Sequence, residues 1–326
     1  MHPDIQTWQQ SLPHGITLSC RACGELGRPV LLFLHGFPEG AWVWDAFLWH
    51  FSRPENGGYR CVAPNLRGYE RSSAPEDVNA YRAKHLVQDM VALIDSECGS
   101  RQDAPPLAAL IAHDWGGAVA WSLANQHPSR LRQLVIINAP HPGPFLQALQ
   151  QDPAQQAASA YMNFLVQADA ASQLAANDFE RLFGFLTGQD PTLQSLTSQA
   201  AAPTFSLQAP CWLTPTVKAQ YRQVWRHGLQ GGLNYYRASP LRPATSTDPG
   251  ASHVQIPDQA LRIDVPTLVL WAQDDVALLA CLTEGLAAHI PALTLVPIAQ
   301  ATHWVVHEQP DRVMAEITDF LRRPNA

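Results

Sequence analysis

Hydrophobic positions along the chain fall into short unbroken runs separated by amphipathic stretches. Pro29 to His35 (P-V-L-L-F-L-H) is apolar until its last residue and stops at Gly36, the pattern of a strand buried on both faces. Arg60 to Pro64, Leu107 to Ala112 and Leu131 to Asn138 read as strands of the same kind. Between them, His85 to Ser96 places Leu86, Met90, Val91, Leu93 and Ile94 at helical spacing. Gly116 to Gln126 predicts a helix directly after the Leu107 strand, and Pro140, Pro142 and Pro144 punctuate the end of the Leu131 strand. Strand alternating with helix predicts an α/β protein with a doubly wound, mostly parallel sheet.

The pattern then changes. From Gly143 to about Ala238 the chain offers helical stretches rich in Gln, Ala and aromatic residues, with no strand signal. Residues 239–264 carry many Pro, Ser, Thr and Gly and read as a connecting segment. Strand character returns at Thr267 to Trp271 and at Leu293 to Pro297, with helices expected over Leu279 to His289 and Arg312 to Leu321. The organisation expected is therefore a core in two parts, 1–142 and 241–326, with the linker opening the second. A helical insertion over 143–240, about the size of a small domain, separates them.

Composition narrows the partners. With 46% hydrophobic and 15% charged residues the chain has the makeup of a folded globular protein, not a disordered one. A net charge of −7 argues against general nucleic-acid binding. No apolar run is long enough to span a bilayer, and the polar stretch Met1 to Gln10 lacks the features of a signal peptide. A cytoplasmic location without membrane attachment is the expectation, and a homodimer is left open. Cys20 and Cys23 form a C-x-x-C, but no second pair follows to complete a zinc site, so all six cysteines read as reduced structural thiols.

The candidate chemistry begins where the Leu107 strand runs into His113-Asp114-Trp115-Gly116-Gly117 and straight into a helix. A side chain at such a sharp turn is held in a strained conformation and needs small neighbours two residues away, which Ala112 and Gly116 provide. Taken alone, Asp114 is equally well read as a nucleophile or as a helix N-cap. Two further sites favour the nucleophile. Asp275 follows the Thr267 strand in Trp271-Ala272-Gln273-Asp274-Asp275, and His303 follows the last strand in Ala301-Thr302-His303-Trp304. The chain order nucleophile, acid, histidine is that of α/β-hydrolases. A carboxylate, with a pKa near ~3.9, needs no base to attack a saturated carbon. His303, oriented by Asp275, would then activate water against the resulting ester. The amide of Trp115 and that of Phe37, in His35-Gly36-Phe37-Pro38, are the candidate oxyanion-hole donors. No metal-ligand cluster accompanies these residues, and no cofactor is expected.

With these motifs in view, the sequence resembles the cap-bearing epoxide hydrolases of the α/β-hydrolase fold. Leu66-Arg67-Gly68-Tyr69 and Asn138-Ala139-Pro140-His141-Pro142 extend the likeness, which covers about Gly15 to Leu321. The resemblance implies two cap tyrosines holding the epoxide oxygen. They match Tyr161 in Tyr161-Met162-Asn163-Phe164-Leu165, and Tyr236 in Asn234-Tyr235-Tyr236-Arg237. It implies a small apolar epoxide as substrate, with Phe37, Trp115, Phe164, Tyr161 and Tyr236 contacting it; Phe183, Phe185 and Trp212 are further lining candidates. The chain departs from the family pattern at Asn65, where aspartate is common, at Tyr235, where tryptophan is usual, and at Ala168-Asp169, where Pro-Gly is common.

The nearest alternative is a haloalkane dehalogenase, which shares the aspartate nucleophile but usually carries asparagine where this chain has Phe37. A haloacid-acting relative would bring arginines where Trp115 and Ala118 stand. A serine esterase lacks its G-x-S-x-G elbow here. A non-catalytic binding protein on the same fold remains the alternative from another class.

Overall fold

A computed structural model describes residues 4–100, 105–188 and 210–323. Eight strands form one sheet in the order β1-β2-β4-β3-β5-β6-β7-β8. They are β1 (Gln6–Ser11), β2 (Thr17–Cys23), β3 (Val30–Leu34), β4 (Arg60–Pro64), β5 (Ala109–His113), β6 (Leu134–Ile137), β7 (Thr267–Ala272) and β8 (Leu293–Ile298). The pairs β1–β2 and β2–β4 are antiparallel, and every other pair is parallel.

Successive residues of the central strands enter two different cores. Leu32, Leu34, Leu110, Ala112, Leu134 and Ile136 face one, together with helices α2 (Ala83–Cys98) and α3 (Trp115–Gln126). Leu31, Phe33, Ala109, Ile111, Val135 and Ile137 face the other, with α1 (Asp45–Ser52) and the C-terminal helix Pro310–Leu321. Burial on both faces explains why these strands read as continuous apolar runs instead of alternating. Cys20 and Cys23 lie three apart on β2 and therefore enter opposite cores, so they cannot share one ion.

Six helices between β6 and β7 make up the insertion among the described residues: α4 (Pro142–Gln151), α5 (Pro153–Ala158), α6 (Tyr161–Leu165), α7 (Ala170–Thr187), α8 (Pro215–Trp225) and α9 (Gln230–Ala238). Helix α7 is kinked at Ala176–Phe179, where the backbone leaves helical geometry. Buried residues of α4, α6, α8 and α9 join the same core as α2 and α3, so the insertion packs on that side of the sheet.

Two expectations need correcting. The helix expected over Leu279 to His289 is a 3-10 turn (Ala280–Thr283) and a single helical turn (Leu286–His289), because Gly285 adopts φ +74 between them. The antiparallel pair β1–β2 at the start of the sheet is not among the expected strands. β1 is an exposed edge strand whose residues are mostly polar, so it carries little hydrophobic alternation.

Candidate active site

Strand order places the site. From β3 the chain steps to β4 on one side and then crosses back to β5 on the other, so the direction of winding reverses between β3 and β5. Open α/β sheets leave a crevice at the carboxyl ends of strands at such a point. Phe37 follows β3 there and Asp114 follows β5.

Asp114 sits in the elbow with φ 49 and ψ −122, outside the regions open to an ordinary side chain, and α3 starts at the next residue. It makes no capping bond to the helix. Its Oδ1 instead accepts the Phe37 amide at 2.7 Å. The elbow also needs the small residue that the sequence supplies, since a Cβ on Gly116 would stand 2.5 Å from the Leu34 carbonyl oxygen. Trp115 is the first residue of α3, and its ring packs edge-on against Tyr236 at 5.0 Å.

His303 Nε2 stands 3.6 Å from Asp114 Oδ2, and its Nδ1 is 2.7 Å from Asp275 Oδ2. Asp275 is fully buried and well supplied with donors. Its Oδ1 accepts the amides of Ala277 and Leu278 at 2.9 and 3.0 Å, and its Oδ2 accepts Asn138 Nδ2 at 2.9 Å. Burial alone would raise the Asp275 pKa, but the His303 charge and these hydrogen bonds outweigh it and hold the carboxyl below its ordinary range. Burial alone would likewise lower His303, but Asp275 and Asp114 together carry it well above the usual imidazole range. With Nδ1 donating to Asp275, Nε2 is the ring nitrogen turned towards Asp114.

Tyr161 and Tyr236 descend from the insertion to the same place. Their rings lie 6.4 Å apart, Tyr236 packs 5.4 Å from Phe37, and both line the two cavities that meet at Asp114. Burial first, then neighbouring acidic groups including Asp114, push both phenols well above their ordinary pKa, so they remain protonated donors. Helix α9 is fixed from below: Arg67 pairs with Asp89 at 2.6 and 2.8 Å and presents its carbonyl to the Tyr235 hydroxyl at 2.9 Å. Tyr235 is thus the anchor, and its helical neighbour Tyr236 faces the site.

One cavity of about 420 Å³ runs from Asp114 along α3; the other, about 70 Å³, lies on the His303 side. Phe185 lines the smaller. Phe164 is in the wall of neither; it is buried under the Arg181 guanidinium, 3.6 Å from its ring. Phe183 packs on Trp225 at 4.9 Å, and Trp212 stacks on His307 at 4.5 Å. Among the described residues no three His, Cys, Asp or Glu side chains are grouped to hold a metal, and no helix is long and apolar enough to cross a membrane.

Residues 29–310 match the α/β-hydrolase fold family. The chain belongs to that family. It is 30% identical over 312 residues to the AB hydrolase superfamily protein YfhM of Bacillus subtilis (strain 168), covering 95% of this chain and 96% of the relative. It is also 30% identical to epoxide hydrolase 4 of Mus musculus, over 94% of this chain and 77% of that protein. A solved structure described among novel epoxide hydrolases from metagenomes of hot environments superposes with a TM-score of 0.75 at 34% identity, covering 98% and 99% of the two chains.

Two parts of this α/β hydrolase's site have no role assigned from sequence. Asn138, at φ 39 after β6, accepts the Ala272 amide at 2.9 Å and so stands fixed to donate to Asp275. Glu39, fully buried behind the Phe37 loop, accepts the Tyr221 hydroxyl at 2.8 Å and lies 2.7 Å from His307 Nε2 and 3.3 Å from His113 Nδ1. His113 Nε2 in turn reaches the His303 carbonyl at 2.9 Å. Burial would raise Glu39, but its hydrogen bonds with His113 and His307 prevail and hold it far below the carboxylate range. The hint in the sequence is that Asn138 opens the Asn138-Ala139-Pro140-His141-Pro142 motif and Glu39 directly follows His35-Gly36-Phe37-Pro38.

Proposed function

We propose that this α/β hydrolase is an epoxide hydrolase, converting an epoxide to a vicinal diol through an ester on Asp114. The observation that carries the reading is the environment of that carboxylate. One oxygen is occupied by the Phe37 amide, and the other borders the cavities under two buried phenols, with His303 beside it. In the first step Asp114 Oδ2 forms a bond to a ring carbon and the carbon–oxygen bond of the epoxide breaks. The departing alkoxide takes a proton from Tyr161 or Tyr236, which lowers the barrier for a poor leaving group. In the second, esterification has removed the Asp114 charge that helps keep His303 protonated, and water attacks the ester carbonyl and gives its proton to the neutral His303 Nε2. The charge developing on Oδ1 is met by the Phe37 amide and, at the start of α3, that of Trp115. Collapse releases the diol and restores the carboxylate, and the proton held by His303 returns to the tyrosinate.

The relatives named as epoxide hydrolases support this reading, as does Phe37, whose ring has no donor for a departing halide. The test is the intermediate. His303→Gln protein given an epoxide should gain the mass of one substrate, and Asp114→Ala protein should gain none and turn nothing over. Turnover by Asp114→Ala near the wild-type rate would end the proposal.

A further inference from the structure

The two cavities that meet at Asp114 are unequal, and their inequality bears on which epoxides fit. The larger follows one face of α3 from Trp115 to Gln126, over which a helix rises roughly 16 Å. Leu86 of α2 lines it, and so do Leu241 and Ile256 of the segment after the insertion. Its volume of about 420 Å³ is that of a site enclosing a sizeable organic ligand. The smaller, about 70 Å³, is bounded by Leu165 and Phe185 of the insertion, Val276 beside Asp275, and His303 itself. By the same measure it offers about one-sixth of the larger cavity's room.

On the reading above, one water must stand on the His303 side to hydrolyse the ester. Any substituent on that side shares the smaller cavity with this water. We infer that the substrate is a one-armed epoxide: a long apolar substituent lies along α3, and the other ring carbon carries no more than a small group. A larger group on that carbon either clashes with Leu165 and Phe185 or displaces the water. The inference rests on the epoxide-hydrolase reading and adds the substrate's shape to it.

The experiment compares straight-chain epoxides of equal carbon number, one terminal and one with the ring at mid-chain, using purified wild-type protein. The terminal compound should have the higher kcat/KM by at least about tenfold, the lower end of what a misfit of one or two carbons costs in an apolar pocket. Lengthening the arm of a terminal epoxide should raise kcat/KM until the α3 cavity is full. Phe185→Ala and, independently, Leu165→Ala should narrow the terminal preference by admitting the mid-chain compound. Equal turnover of the two isomers by wild type overturns the inference and leaves the epoxide-hydrolase reading intact. A preference that both enlarged variants keep undiminished, in protein that melts normally, also overturns it. Failure of folded protein to open any epoxide overturns both.

Discussion

Gly36 faces the Asp114 carboxylate with no room for a side chain between them, and this leads to a sharp prediction. A Cβ built on Gly36 would stand 2.2 Å from Asp114 Oδ1 and 2.3 Å from Asp114 Cβ, more than about 1 Å inside ordinary contact. The loop has little freedom to yield, because the Gly36 carbonyl lies 2.9 Å from His35 Nδ1 and accepts the Glu39 amide at 3.0 Å. His35 is itself fixed: burial lowers its pKa to about 4, and the neutral ring accepts the Leu66 amide at 3.1 Å. In Gly36→Ala, Asp114 must therefore withdraw. A shift of about 1 Å stretches the 2.7 Å bond from the Phe37 amide beyond hydrogen-bonding range. Loss of one oxyanion donor costs about 3–4 kcal/mol, or about 10²–10³ in rate. The loss should fall mainly on ester hydrolysis, where negative charge collects on Oδ1. Single-turnover kinetics with intact-mass detection of the ester would separate the two steps, with thermal melting as a check on folding. Wild-type hydrolysis of the ester in folded Gly36→Ala would refute the assignment of Phe37 as an oxyanion donor.

Other consequences follow from the same geometry. Changing Tyr161 and Tyr236 together to Phe should slow ring opening at least ~100-fold and ester hydrolysis much less; rapid-quench measurement of both steps would show equal slowing if the cap had merely been damaged. Since Asp114 helps to raise His303, Asp114→Asn should bring the His303 imidazole pKa down relative to wild type, read by NMR titration; an unchanged value would mean that the two do not interact. Glu39 has a depressed folded pKa, so its stabilisation is full above the ordinary carboxylate pKa and is lost as pH falls towards the folded value. Glu39→Gln should therefore destabilise the protein by about 3 kcal/mol in urea unfolding at neutral pH, with the gap to wild type closing in acid. Exhaustive chelation should leave epoxide turnover unchanged, and a loss restored by one metal would reveal a site overlooked.

The linear order of residues was enough to identify the core strands, because a strand buried on both faces must be apolar at every position. Val30–Leu34 and Ala109–His113 show this directly. It also marks Asp114, Asp275 and His303 as candidates, since each follows a strand and the small flanks that the elbow needs stand next to Asp114 in the chain. Asp114 as cap or nucleophile was undecidable in sequence. The three-dimensional arrangement shows the side chain making no cap bond and turning to the Phe37 amide, 77 positions earlier in the chain. Asn138 and Glu39 lay out of reach for the same reason: their partners come from other strands and from the insertion, and no local pattern encodes such distant pairings. Phe164 shows the converse. Its place in a motif suggested contact with substrate, but the turn of α6 that carries Tyr161 to the cavity leaves Phe164 packed beneath Arg181. The segment after Ala238 read as a mere connection because composition reports flexibility and not position. Folded, it brings Leu241 and Ile256 to the wall of the larger cavity. Which residues are apolar, small or ionisable is a property of the chain, whereas which of them meet depends on the sheet order and on how the insertion packs over it.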